Sequence, residues 1–119
     1  MSHNRTTVER YFEGFRNTDR QLILSCLTTD VEWELPGIFR ARGKEEFDRH
    51  IVDEGFRDRP GITVHRFLEV GDVLVAEGSV RGKRTDGTDV SIVFCDVFEM
   101  ENGAIRRLTS YIMETKDEH

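Results

Sequence analysis

ITVHRFLEVGDVLVAEGSVRGKRTDGTDVSIVFCDVFEMENGAIRRLTSYIM, residues Ile62–Met113, is the stretch on which the fold turns. Four runs within it are rich in β-branched and aromatic residues: Ile62 to Val70, Val73 to Arg81, Val90 to Met100 and Ile105 to Met113. Such runs favour strands. Gly71-Asp72, Asp86-Gly87 and Asn102-Gly103 separate them, and Asp-Gly and Asn-Gly are the strongest short hairpin signals. The second half of the chain therefore reads as a meander of four antiparallel strands.

Upstream the pattern is helical. Thr6-Thr7-Val8-Glu9 has the form of a capping box, and Val8, Tyr11, Phe12 and Phe15 then recur at helical spacing. Thr18-Asp19-Arg20-Gln21 repeats the box before a short helix carrying Leu22, Ile23, Cys26 and Leu27. A third helix, roughly Lys44 to Glu54, places Phe47 and Ile51 on one face. Between the second and third, Val31-Glu32-Trp33-Glu34-Leu35 alternates apolar and acidic residues. That is a half-buried strand, stopped by Pro36-Gly37 and expected at a sheet edge. The fold class is α+β: helices first, then a curved antiparallel sheet closing around one apolar pocket.

With 119 residues the chain fits a single domain. Its eight Phe carry much of the apolar area available to a core that is otherwise modest, at 37% hydrophobic residues. Net charge is −6 with both signs interleaved, so no basic stripe awaits a phosphate backbone and nucleic-acid binding is not expected. Cys26 and Cys95 are far apart with apolar neighbours and read as reduced, buried thiols. The polar start, Met1-Ser2-His3-Asn4-Arg5, lacks a signal-peptide core, and no run reaches membrane-spanning length. A cytoplasmic protein without a membrane association is expected.

Turn chemistry also suggests a register. If Asp86-Gly87 is a two-residue hairpin, Glu77 lies opposite Asp96 with Cβ atoms about 5 Å apart. The Gly71-Asp72 turn places Arg66 opposite Glu77. One face would then carry a row, Arg66–Glu77–Asp96. Against this, Leu74, Ala76, Gly78 and Val80 are the more apolar set of their strand, which would turn Glu77 outward.

The order of elements resembles the nuclear transport factor 2-like superfamily, in particular its ketosteroid isomerase and SnoaL-like polyketide cyclase branch. The likeness rests on Arg10-Tyr11, Asp30-Val31-Glu32-Trp33, Gly43-Lys44-Glu45-Glu46-Phe47, Cys95-Asp96-Val97-Phe98, Asn102-Gly103-Ala104-Ile105 and Ser110-Tyr111. It implies a cone-shaped α+β barrel with an internal pocket, a single domain over residues 1–119 with its core at about 6–114, and homodimers pairing sheet against sheet. In ketosteroid isomerases a Tyr and a protonated Asp form an oxyanion hole while a second Asp moves the proton. Tyr11 and Asp96 match the first pair, but the base position falls on Leu35. The limonene-epoxide hydrolase set of Asp, Arg and Asp falls on Ser79, Glu77 and Ser110, which excludes that activity.

Asp96 stands on an otherwise apolar alternate face, Ile92, Phe94, Phe98 and Met100, where desolvation raises a carboxyl pKa. It is either a neutral acid donating to a carbonyl or enolate oxygen, or a buried Asp satisfied by backbone, Tyr11 or Arg66. Glu77 either shares a proton with Asp96 or pairs with Arg66 or Arg81. Tyr11 and Trp33 have core-packing readings beside their site readings. His50 and His65 lack partners at metal-ligand spacing, and the serines lack a nucleophile-elbow context.

The expected function is cofactor-free, metal-free proton transfer next to a carbonyl of a small hydrophobic substrate: isomerisation, cyclisation or dehydration. Tyr11 and Asp96 would stabilise the oxyanion and Glu77 would be the base, in a pocket lined by Trp33, Leu35, Phe94, Leu108, Ser110 and Ile112. The alternatives are a non-catalytic carrier of a small hydrophobic ligand, or a dimeric assembly module. A homodimer is expected on the residues too, because Val90 to Met100 is apolar on both faces and the helices cover only one.

Overall fold

Asn102 and Gly103 both take positive φ, 53° and 80°, the geometry of a tight two-residue hairpin. Around that turn the computed structural model, which describes residues 3–52, 61–83 and 86–115, builds one sheet and three helices. In chain order the elements are α1 (His3–Arg16), α2 (Arg20–Ser25), β1 (Leu27–Leu35), β2 (Phe39–Arg42), α3 (Gly43–Val52), β3 (Gly61–Val70), β4 (Val73–Lys83), β5 (Asp89–Glu101) and β6 (Ala104–Glu114). The strands form a single curved sheet in the order β2-β1-β6-β5-β4-β3. This is the expected α+β architecture, with the helices on the concave face and the sheet left open between the edges β2 and β3.

The core is where the helical stripe meets the concave face. Val8, Tyr11 and Phe12 of α1 and Phe47 of α3 are buried against Trp33, Phe94, Phe98 and Leu108. Phe12 lies 5.7 Å from Phe94 and 5.8 Å from Phe98, ring centre to ring centre. Gly78 leaves no room for a side chain: a Cβ there would run into the Thr63 carbonyl oxygen and come within 2.7 Å of the Phe94 ring edge. One end of the cone is tied by Thr7, whose hydroxyl donates to the Gly103 carbonyl at 2.6 Å. The far end of α1 is tied by Arg16, whose Nε donates to the Ile62 carbonyl at 3.0 Å.

Several expectations need correction. The helix α1 includes residues from His3 onward, so Thr6 lies in its first turn and is not its cap. Asp19, not Thr18, caps α2 and accepts from the Leu22 N–H at 3.1 Å; Thr18 instead takes a positive φ of 53° in the turn. The helix stops at Ser25, so Cys26 is its C-cap and Leu27 opens β1. Glu54, the expected end of α3, falls outside the described residues. The strand at Val31–Leu35 extends back to Leu27 and is interior: it pairs in parallel with β6 and antiparallel with β2, a short edge strand not foreseen from sequence. The sheet is therefore mixed.

Register between β4 and β5 differs from the two-residue hairpin expected at Asp86-Gly87. Lys83 pairs with Asp89, so five residues, not two, connect β4 to β5. Asp86 starts a local turn, its carboxylate accepting from the Thr88 N–H at 2.9 Å. Changing the loop by an odd number of residues exchanges the faces of one strand relative to its neighbour. Ala76 consequently faces Asp96, and Glu77 faces Cys95.

Candidate functional site

The concave face of β5 presents Val90, Phe94, Asp96, Phe98 and Met100, all buried. Asp96 is flanked in register by Ala76 on β4 and Ser110 on β6. The second neighbour depends on an irregularity. Leaving the Asn102-Gly103 turn, the pairing Met100–Ile105 gives way to Glu99–Arg107, so β6 carries one extra residue there. Such a bulge shifts the facing set by one. It turns Leu108 and Ser110 inward and puts Ser110 opposite Asp96.

Asp96 and Ser110 are the buried polar or charged side chains among the described residues. Burial pushes the Asp96 carboxyl up from its ordinary 3.8 to about 7, and a hydrogen bond from Ser110 works in the opposite direction. Desolvation disfavours the charged form, while a donor to the carboxylate favours it. Among the described residues, desolvation and Ser110 account for the shift. Ser110 is held from the other side by Trp33, whose indole Nε1 donates to its hydroxyl oxygen at 3.1 Å. A buried indole N–H commonly finds such a partner.

Trp33 is fixed by the aromatic rings around it. It stacks on Phe47 of α3 at 4.3 Å and meets Phe39 of β2 edge-on at 5.1 Å. Phe39 in turn stacks on His50 at 3.7 Å, a contact that local periodicity could not show because β2 was not anticipated. Tyr11 is buried in the same interior, 5.5 Å from Phe98, 5.0 Å from Phe15 and 6.4 Å from Phe47. Leu35, Phe94 and Leu108 are buried on the concave side. Ile112, paired with Phe94 towards the end of β6, is 40% exposed and stands at the rim.

Glu77 does not join them. It lies on the convex face, where its carboxylate sits 2.8 Å from the Arg66 guanidinium, with the two side chains 42% and 60% exposed. The expected pairing of Arg66 with Glu77 is present, but the row does not continue to Asp96. The apolar set Leu74, Ala76 and Gly78 faces inward, so strand periodicity reports the side of Glu77 correctly and the assumed hairpin does not. Glu34 is likewise on the outer side of its hairpin, 3.3 Å from Arg40. Among the described residues, no second buried carboxylate stands beside Asp96, and no group of three or more His, Cys, Asp or Glu could hold a metal ion. Cys26 and Cys95 are both free. No described helix is long and apolar enough to cross a membrane.

What the described interior offers chemically is one carboxyl that exchanges its proton near neutral pH, inside an aromatic enclosure and beside the Ser110 hydroxyl. Residues 8–108 match the model of the SnoaL-like domain. Among solved structures, a nuclear transport factor 2-like protein of unknown function from Burkholderia pseudomallei is 24% identical, with 92% of this chain and 90% of that chain covered and a TM-score of 0.83. A candidate ketosteroid isomerase from Kribbella flavida is 23% identical over 98% and 82% of the two chains, with a TM-score of 0.75. A Mycobacterium tuberculosis protein in complex with estradiol-17beta-hemisuccinate is 14% identical over 95% and 99%, with a TM-score of 0.83. At these identities the likeness establishes the fold. No curated protein matches the chain.

Proposed function

The chain belongs to the SnoaL-like domain family, and from that premise we propose that it is a small-molecule pocket protein that binds a small hydrophobic ligand through Asp96. The observation that carries this reading is Asp96 itself, the one buried carboxyl among the described residues, raised to about 7 by desolvation. In its neutral form such a group donates a hydrogen bond to a carbonyl oxygen, and the surrounding rings supply apolar contact. A protein of the same fold holding estradiol-17beta-hemisuccinate supports the idea that this cone accommodates a polycyclic molecule. The reading involves no cofactor, treats residues 1–119 as one domain and fits a reducing, cytoplasmic setting for the two free thiols.

A ketone and its hydrocarbon analogue test it. 2-Acetonaphthone can accept a hydrogen bond from protonated Asp96, whereas 2-ethylnaphthalene cannot. The ketone is expected to bind more tightly than the hydrocarbon below pH 7 and to lose that preference above it, read by calorimetry or by thermal shift. Equal affinities across the pH range would remove Asp96 from the ligand contact.

A catalytic reading has one specific observation in its favour. A carboxyl titrating near 7 is matched to proton transfer at neutral pH. In that case Asp96 itself carries the proton to and from the carbon next to a carbonyl, with Tyr11 beside the oxygen, and the reaction is an isomerisation, cyclisation or dehydration. Protein-catalysed deuterium exchange next to the carbonyl of 2-tetralone, abolished in Asp96→Asn, is the expected sign of it. Exchange at the buffer rate would leave the binding reading alone.

We also infer a homodimer through the convex face. There Val93 is 43%, Tyr111 53% and Met113 66% exposed, an apolar surface on paired strands that the helices leave uncovered.

A further inference from the structure

Asp96 is one of three buried groups whose hydrogen bonding is mutually constrained. An indole N–H is only a donor, and a serine hydroxyl has one proton to give. Trp33 Nε1 donates to the Ser110 oxygen at 3.1 Å, which fixes the direction of that bond. The Ser110 proton is then directed elsewhere, and its cross-strand neighbour in a buried setting is Asp96. Ser110 and Trp33 were both expected to line the pocket, but this arrangement gives them a different task. Resting on the reading that Asp96 contacts the ligand, we propose that Ser110 is a positioning residue, pinned by Trp33, that gives its single proton to one oxygen of the Asp96 carboxyl and leaves the other oxygen for a bound molecule.

The relay is anchored at both ends. Trp33 cannot swing away freely, because Phe47 stacks on one face of its ring and Phe39 closes against its edge. Ser110 sits on the inner side of β6 only because of the bulge before it. Titratable groups reach this interior from three helices. Tyr11 enters from α1, and Cys26 at the end of α2 has its thiol pushed up by burial. From α3, His50 stacks on Phe39, one ring removed from Trp33. On β4 the neighbour is Ala76, and Glu77 and Cys95 turn to the other face. When Asp96 loses its proton, the Ser110 donor stabilises the carboxylate; when Asp96 holds it, the acid proton is free for a ligand oxygen.

The test is a carbonyl-detected NMR titration of Asp96 in the ligand-free protein, so it does not depend on a ligand having been found. Ser110→Ala removes the donor and should raise the Asp96 pKa by about one pH unit, a tenfold change in proton affinity. Trp33→Phe keeps the ring but frees the Ser110 hydroxyl, and should raise it by less. Ser110→Thr, which keeps a hydroxyl, should stay near wild type. An unchanged Asp96 titration in Ser110→Ala, with native amide spectra, overturns the proposal. A wild-type titration in Trp33→Phe overturns the part assigned to Trp33. If the shifts appear but 2-acetonaphthone does not bind, the relay stands and the ligand reading falls.

Discussion

β4 and β5 carry a carboxylate on each of their two faces, and the two acids live in different solvents. Asp96 points into the concave side among Phe94, Phe98 and Leu108, with a hydroxyl as its polar partner. Glu77, one position away from the residue opposite Asp96, stands in water beside Arg66. Proton exchange near neutral pH follows from the first environment. A desolvated acid without a counter-charge holds its proton, whereas an exposed pair is screened and contributes little. Side of the sheet, set by the parity of one loop, decides which acid is desolvated.

Removing the inner charge should change the protein most. Asp96 has its pKa raised on folding, from 3.8 to about 7, so folding favours its neutral form. The stability it contributes is complete below about pH 4 and is lost as pH rises through 7. A rise of that size corresponds to up to about 4 kcal/mol. Asp96→Asn keeps the shape and cannot ionise. It should match wild type in urea unfolding at pH 4 and exceed it at pH 8, by an amount approaching that limit. Equal pH dependence in the two proteins would mean that Asp96 is not the buried acid described.

The outer face predicts a different response. Val93→Glu places a charge where Val93, Tyr111 and Met113 form the exposed apolar surface. Folding should be preserved, because the side chain projects away from the core. Self-association should weaken at least tenfold, about 1.4 kcal/mol or more. Sedimentation equilibrium at tens of micromolar is expected to give a dimer for wild type and a mass near 13.8 kDa for the variant. A wild-type monomer under those conditions removes the homodimer.

The sequence showed the sheet more clearly than the site, for physical reasons that can be located. β3 to β6 were legible because alternation and turn residues coincide. Asn102-Gly103 formed the turn its chemistry demands. Asp86-Gly87 carried the same signal but became part of a five-residue connection, since Asp86 was satisfied locally by Thr88. A turn motif reports that a chain reverses; it does not report the loop length, and one residue exchanges the faces. The inward set Leu74, Ala76 and Gly78 held the correct answer for Glu77, because burial acts on every residue of a strand and a turn acts at one point. Asp96 was legible as an acid on an apolar face. Its link to Ser110 and Trp33 was not, because it needs a bulge on β6 and a parallel pairing between β1 and β6 that no local pattern encodes.

The smallest expected effect is also the one that separates the faces most directly. If Glu77 and Asp96 shared a proton, Glu77→Gln would lower the Asp96 pKa by removing a nearby negative charge. With Glu77 across the sheet and facing Arg66, Asp96 should titrate as in wild type. The stability change should stay within about 1 kcal/mol, the range of an exposed ion pair. The thiol of Cys95 supplies the positive control. It is the direct cross-strand neighbour of Glu77 on the convex face, and burial, with added repulsion from Glu77, pushes it above its ordinary value. Glu77→Gln should therefore make Cys95 slightly more acidic while leaving Asp96 alone. The pH dependence of Cys95 alkylation, followed alongside the Asp96 titration, distinguishes the cases. A shift at Asp96 with none at Cys95 would place Glu77 on the inner face and return a second carboxylate to the site. A shift at Cys95 alone leaves Asp96 as the one buried carboxyl of the cone among the described residues.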